Sequence, residues 1–330
     1  MEKDILGPLP NNRTEIIKQY NIAIIGGGPA GIAAGIYSKY DGNNPIIFER
    51  RTLAWIPENH INLLGKLEGL PGLLNTVDGT QLVEKFRHSL SEMEVEYHEN
   101  SEVADIRTSN TGFVVQAKNM LYQVQALIIA TGTNPKKLSP TIVNGFDGYI
   151  HYFALNLYGH YVSKKVVVLG SRNSGSTAAI YLARHGVKVT ILEIKSEAQA
   201  KEKHTKHFAP LGIRVITGAE VKLLNGKNGK LRSVNYIKDN KEYSLDCVAV
   251  FCYIGVTPEN TIANNLGVSL DDTGYAKTDF FQSTNIPGIF IAGDVCGDLK
   301  HIVAANGQGA KAAYNVNKYL LAKGETPSGK

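Results

Sequence analysis

Residues 22–31 read Ile-Ala-Ile-Ile-Gly-Gly-Gly-Pro-Ala-Gly, a short apolar strand that runs straight into Gly26-x-Gly28-x-x-Gly31. A helix-compatible run, Ile32 to Tyr37, follows. A second apolar run, Pro45 to Phe48, closes on the acid Glu49. Few chain geometries accept this order. Gly26 makes the tight turn, Gly28 lets backbone approach a pyrophosphate, and Gly31 allows close helix–strand packing. The first helical turn, which holds Pro29 and Ala30, offers free N–H groups and a positive dipole end to phosphates. Glu49 is placed to accept hydrogen bonds from an adenosine ribose. Strand, turn, helix, strand and acid together point to a dinucleotide-binding βαβ unit.

A length of 330 residues suggests about two domains. The composition is 43% hydrophobic, ample for packed cores, and the 33 glycines suit repeated α/β turns. No apolar run reaches the roughly 18 residues of a membrane span. Met1-Glu2-Lys3-Asp4 has no signal-peptide layout, and residues 1–20 read as a polar arm leading into the first strand. Three cysteines, Cys247, Cys252 and Cys296, cannot build a disulfide framework, which fits a reducing cytoplasm. A net charge of +5 is too mild and scattered to imply nucleic acid. No metal site is read. The one basic concentration, Lys201, Lys203, His204, Lys206 and His207, is either a solvated helix face or a docking patch for an acidic protein.

The opening pattern returns further on. Lys165 to Leu169 is a strand, and Gly170-x-Arg172-x-x-Gly175 is its turn, with Asn173 and Ser174 inside it. A helix-compatible run, Ser176–His185, precedes a strand that ends in Glu193. Between the two units an apolar strand ends in Ala130-Thr131-Gly132, and Tyr253-Ile254-Gly255 follows the second unit. Near the C-terminus a strand ends in Gly293-Asp294, and the helical run Ile302–Leu320 begins soon after.

Over about residues 20–322 these landmarks together resemble the two-dinucleotide-binding-domain flavoproteins, and among them the low-molecular-weight thioredoxin reductases. The resemblance implies an α/β fold of two Rossmann-like domains, the second inserted in the first. It implies an FAD domain of residues 1–122 and 248–330, an NAD(P)-type domain of residues 123–247, and a homodimer. FAD contacts are implied at Gly26, Gly28, Pro29, Ala30, Gly31, Glu49, Val103, Ala130, Thr131, Gly132, Gly293 and Asp294. Asp294 would bond the ribityl chain. His301 and Ile302 would open a helix whose N–H groups face the flavin pyrimidine edge, where reduced flavin is negative. NAD(P) contacts are implied at Gly170, Arg172, Asn173, Ser174, Gly175, Glu193 and Gly255.

The chain departs from this family in three places. Phe153 and Asn156 stand where the Cys-x-x-Cys belongs, and Leu157 stands at the acid position. Neither Phe nor Asn can supply the thiolate that disulfide exchange needs, so thioredoxin reduction by the family's route is not expected. Arg172 replaces the middle glycine of the second motif. It crowds the pyrophosphate or, being cationic, pairs with it. Glu193 favours NADH over NADPH, because a carboxylate there accepts from a ribose hydroxyl and repels a 2′-phosphate. The loop after Glu49 also differs. Arg50 or Arg51 is expected on an FAD phosphate or on adenine. Asn62 is expected at the flavin, and Trp55 either covers the cofactor or packs in its loop.

With no internal dithiol, electrons from NAD(P)H would pass through FAD to an external acceptor, either a small electron-carrier protein or a small molecule. The thioredoxin-reductase-like ferredoxin–NAD(P) reductases also lack the dithiol and often carry a His-Tyr-Phe similar to His151-Tyr152-Phe153. Another reading is an FAD-binding redox sensor or non-catalytic subunit with a degraded nucleotide site. A third is an oxidase of external dithiols, with His60, His151 or His301 as the base or as backbone-positioning residues. Cys247 and Cys252 are expected as buried thiols on opposite faces of one strand, Leu245–Tyr253. Cys296 is a packed residue or a redox thiol near the flavin. Without a dithiol to alternate with nicotinamide, the inserted domain is expected to rest in one orientation.

Overall fold

The structure, a computed structural model, describes residues 17–53, 69–73 and 76–324. Trp55, His60 and Asn62 lie outside the described residues. The first sheet contains β1 (Ile17–Ile25), β2 (Pro45–Phe48), β3 (Glu96–His98), β4 (Val103–Ser109), β5 (Gly112–Ala117) and β6 (Met120–Ile129). Its order is β3-β2-β1-β6-β5-β4. Helices α1 (Pro29–Tyr40) and α2 (Gly79–Glu92) cross between its parallel strands. From here β7 (Thr133–Pro135) and α3 (Pro140–Val143) lead into a second sheet of β8 (Ile150–His151), β9 (Lys165–Leu169), β10 (Lys188–Leu192) and β11 (Arg214–Ile216). The crossovers there are α4 (Asn173–Arg184) and α5 (Glu202–Thr205). An antiparallel meander follows, β12 (Glu220–Lys227), β13 (Lys230–Lys238) and β14 (Lys241–Asp246). Then β15 (Val250–Cys252) enters the second sheet, giving the order β11-β10-β9-β15-β8, all parallel. The chain returns through β16 (Val256–Pro258), which pairs antiparallel with β7. It ends with α6 (Thr261–Asn265), β17 (Ile289–Ile291) and α7 (Ile302–Ala322), with β17 beside β6 in the first sheet. The fold is therefore α/β, with two Rossmann-like units and the second inserted in the first.

The interior strands are apolar without alternation because both faces are covered. In β1, Ile22 and Ile24 point to one side, with Ile47 and Ile128, under α1 and α7. Ala23 and Ile25 point to the other, with Ile46, Phe48, Leu127 and Ile129. The two-residue period of the strand sorts these side chains into two cores. The second sheet does the same. Val166 and Val168 pack under α4, and Val167 and Leu169 pack under the meander. Strand β6 pairs with β1 along most of its length, with β5 through its first half and with β17 through its last three residues.

Two sequence expectations change here. The run from Leu245 to Tyr253 is not one strand: β14 ends at Asp246 and β15 begins at Val250. The break brings Cys247 and Cys252 into the same core rather than onto opposite faces, and both are buried. The basic segment is also not a uniformly solvated face. Helix α5 is one turn long, Lys201, Lys203 and Lys206 are exposed, and His204 is turned inward at 4% exposure.

Helices α1 and α7 meet through small residues. A Cβ on Gly309 would come closer than 3.0 Å to Ala30 O, and Ala305, Ala312 and Ala313 line the same face of α7. The contact seats the N-terminus of α1 over the first sheet. Gly309→Ala should therefore destabilise the protein by about 1–3 kcal/mol, the usual cost of overpacking, and urea unfolding measures it. A change below a few tenths would show that the two helices simply separate.

Candidate functional site

Each sheet carries the same cradle where its central strand meets a helix. In the first, Gly26 has φ +112° and lies against Ala130 O, and Gly31 lies against Gly26 O. In the second, Gly170 has φ +91° and lies against Tyr253 O, and Gly175 lies against Gly170 O. At all four a Cβ would fall closer than 3.0 Å to the carbonyl oxygen. The middle positions are different. Gly28 and Arg172 are the N-caps of α1 and α4, with φ −77° and ψ −177° against φ −63° and ψ 177°. That extended conformation suits any residue, and no atom lies within 4 Å of a Cβ built on Gly28. Arg172 therefore sits without backbone strain. What it changes is the space and the charge in front of α4, where its side chain is exposed.

The two acids are set differently. Glu49 accepts from Gly27 N at 2.7 Å and from Arg51 N at 2.8 Å, and stays half-buried. Glu193 accepts from Ser171 N at 2.8 Å, Ser171 Oγ at 2.7 Å and Lys195 N at 3.0 Å. Gln199 N in turn donates to Ser171 Oγ at 2.7 Å, so the loop after β10 closes over the carboxylate. Glu193 is only 4% exposed. Burial pushes its pKa up, but the hydrogen bonds from Lys195 and Ser171, with the Arg172 charge beyond them, outweigh burial and hold it below the usual carboxylate range. Both acids thus take the same pair of backbone donors, the turn N–H and the N–H two residues on, and Glu193 differs in its deeper burial and in a third donor. That third donor is the hydroxyl of Ser171, which Gly27 lacks in the first cradle.

The first cradle fits FAD. Gly28 and Gly132 leave open space around the N-terminus of α1, and no side chain caps that helix. Asp294 is half-buried, and its carboxylate has no hydrogen-bond partner among the described residues. Burial pushes its pKa up against the pull of Lys300 and His301. Such a carboxylate suits the hydroxyls of a ribityl chain. Its turn is fixed by Gln308, whose Oε1 accepts from Gly293 N at 2.7 Å while its Nε2 donates to Asp298. His301 is the N-cap of α7, and Ile302 begins the helix, packed against Leu70, Val77 and Leu82. Val103 is buried in the core at the start of β4, two residues after Ser101, whose N–H donates to Glu49 O at 2.8 Å. The second cradle, with the uncapped N-terminus of α4 and the Arg172 cation, suits the phosphates of a dinucleotide. Gly255, with φ +116°, lies beyond it, where its carbonyl accepts from Lys136 N.

The Arg50 guanidinium is engaged within the chain. It donates to Asn134 Oδ1 at 2.9 Å and to Glu259 Oε2 at 3.1 Å, where β7 and β16 pair. Thr131 is engaged there too, donating to Glu259 O at 2.6 Å. Asn134, Glu259 and Gln308 carry no local sequence signature. Ser171 does, as a hydroxyl where the first motif has Gly27.

The segment in place of the dithiol is a turn wedged against its own domain. Ala154 is fully buried, Phe153 is half-buried, and Asn156 is exposed at φ +62°. Tyr158 stacks on His185 with centroids 4.0 Å apart. His151 Nε2 lies 2.5 Å from Tyr161 Oη, and its ring packs on Phe251. Burial, with the nearby His160 charge, keeps His151 below the usual imidazole range. His151 is thus tied into the interior and is not a free base. Cys296 bonds weakly to Gln282, and burial pushes its thiol up to about 12, far from a reactive thiolate at neutral pH.

Residues 20–309 match the family described as Pyridine nucleotide-disulphide oxidoreductase. The chain is 30% identical over 310 residues to the 34.2 kDa protein in rubredoxin operon of Clostridium pasteurianum, covering 93% of this chain and 99% of that one. It is 30% identical to the thioredoxin reductase of Listeria monocytogenes, covering 92% and 94%. The crystal structure of T. acidophilum thioredoxin reductase superposes with a TM-score of 0.84 at 27% identity, covering 92% of this chain and 99% of that one.

Glu193→Gln places an amide N–H₂ group against the N–H of Ser171 or Lys195. It should cost about 1–3 kcal/mol of stability at neutral pH. Because Glu193 titrates below its unfolded value, its contribution is present above the ordinary carboxylate range and is lost as pH falls through the lowered value. The gap between wild type and variant should therefore narrow in acid, as measured by denaturant unfolding at neutral and acid pH.

Proposed function

The chain belongs to the pyridine nucleotide-disulphide oxidoreductase family, and from its site we propose an FAD-dependent reductase that carries electrons from NAD(P)H to an acceptor outside itself. The observation that carries this is the pair of matching cradles, combined with Phe153 and Asn156 in place of a dithiol. When bound, FAD supplies a two-electron carrier able to take hydride from a reduced nicotinamide.

The residues of the chain bind and orient. The first turn of α1, with Gly28, Ala30 and Gly31, holds the FAD pyrophosphate, and Glu49 faces the adenosine ribose. Asp294, positioned by Gln308 through Gly293, holds the ribityl chain. The N-terminus of α7 at His301 and Ile302 stabilises negative charge at the flavin. In the second unit Arg172, Asn173, Ser174 and Gly175 hold the phosphates of NADH or NADPH. The Glu193 charge favours NADH over NADPH, and both remain as donors.

No cysteine of this chain takes the electrons onward. Cys247 and Cys252 are buried, with thiols pushed up to about 12 and about 11. The acceptor is thus a small electron-carrier protein or a small molecule. The relative named for a rubredoxin operon favours a small redox protein. The sheets suggest an FAD domain and an inserted NAD(P) domain that exchange at β7 and β16, later in the chain than residues 122 and 248. A homodimer in the cytoplasm completes the proposal.

The test is an anaerobic titration of the yellow holoprotein with NADH and NADPH, following loss of the oxidised-flavin band. Bleaching by either nucleotide, with no turnover on thioredoxin disulfide, is expected. Bound FAD that neither nucleotide bleaches would sink the reductase and favour a sensor or non-catalytic subunit.

A further inference from the structure

The chain passes between its two sheets twice, outward through β7 and back through β16. These strands pair over only three residues each: Thr133 with Pro258, Asn134 with Thr257 and Pro135 with Val256. Pro135 and Pro258 have no N–H to donate. One backbone bond flanks each end, Glu259 N to Gly132 O and Lys136 N to Gly255 O, both at 2.9 Å. Gly132 and Gly255 have φ of +69° and +116°, and no atom lies within 4 Å of a Cβ built on either. A short two-strand connection with an unpacked glycine at each end is a hinge by construction.

One side chain grips it from the first unit. Arg50 projects from the loop after β2, which is anchored because Glu49 accepts from Gly27 N and Arg51 N. The Arg50 guanidinium reaches Asn134 in the outgoing strand and Glu259 beyond the returning one. Asn134 Nδ2 donates to the same Glu259 oxygen, and Glu259 Oε1 accepts from Thr261 Oγ1 at 3.0 Å. The Glu259 side chain is 19% exposed, so this is not a freely solvated pair. We infer that Arg50 is a positioning residue, which straps both passes of the hinge to the first unit and so narrows the range of orientations open to the second unit.

The strap secures the Gly132 end and leaves movement only at the Gly255 end. Burial works to raise the Glu259 pKa, but Asn134, Thr261 and Arg50 outweigh it and keep the carboxylate ionised. The inference rests on the proposed reductase. With no dithiol to present, a narrow range of orientations serves direct transfer from nicotinamide to flavin.

Spin labels on the full-length holoprotein test it without turnover. Tyr40→Cys in α1 and Lys227→Cys at the end of β12 are exposed sites in the two units, with Cys296→Ser as background. Wild-type Arg50 should give a single narrow distance. Arg50→Ala should add a second population or broaden the first, and Glu259→Gln, the milder change, should do the same if Arg50→Ala fails to fold. In the same variants flavin bleaching should slow by about 10- to 100-fold while nucleotide affinity holds. Two distances in the wild type, or one unchanged distance in both variants, would overturn the strap. Variants that shift the distances in a protein neither nucleotide bleaches would keep the strap and sink the reductase instead.

Discussion

A glycine pressed against a backbone carbonyl, four times over, is the contact on which both halves of this molecule depend. Gly26 must pass over Ala130 O for the first turn to close, and Gly31 must pass over Gly26 O for α1 to start there. Gly170 and Gly175 repeat the arrangement against Tyr253 O and Gly170 O. At Gly26 and Gly170 a positive φ adds to the contact, and at Gly31 and Gly175 the contact alone leaves no room for a Cβ. The consequence is electrostatic as well as steric. Each helix begins directly beyond its strand, with uncapped N–H groups aimed off the end of the sheet. Gly309 against Ala30 O then pins the first of these helix ends from the far side. The backbone therefore builds two anion sites before any side chain is chosen.

Side chains then make the two sites unlike. At the first, glycine at positions 27 and 28 leaves the helix end bare and Glu49 half-buried. At the second, Ser171 and Arg172 fill the same positions. The serine hydroxyl gives Glu193 a third donor, and the arginine adds a cation outside it. Anion attraction at this mouth thus comes from a side chain as much as from helix N–H groups, and it is more sensitive to salt for that reason.

The glycine spacing, the apolar strands and the helix starts were legible in the sequence because their causes are local. A turn that needs positive φ, or a strand covered on both faces, leaves its mark on consecutive residues. Arg50 was not legible. Its partners Asn134 and Glu259 are distant in sequence, and only the pairing of β7 with β16 brings them within its reach. His151 was half legible: the sequence placed it beside the missing dithiol, but its contact with Tyr161 depends on how the turn folds back. Cys247 and Cys252 were correctly read as buried. Their faces were not, because nothing local marks the break between β14 and β15.

Phe153 and Asn156 sit in a segment, residues 151–161, that is packed against the second unit. A reactive Cys-x-x-Cys must be reachable, so its turn must expose thiol sulfur and stay loosely held. Here the turn carries Ala154 fully buried, stacks Tyr158 on His185 and ties His151 to Tyr161 beside Phe251. These contacts stabilise the second unit at the cost of any exposed chemistry on this segment. A unit stiffened in this way no longer has to present two different groups in turn. Its remaining requirement is a fixed relation between one nucleotide site and the other, and that relation runs through a connection of three residue pairs. So small a ladder supplies few backbone bonds, and the Arg50 guanidinium adds two side-chain bonds to it from the first unit.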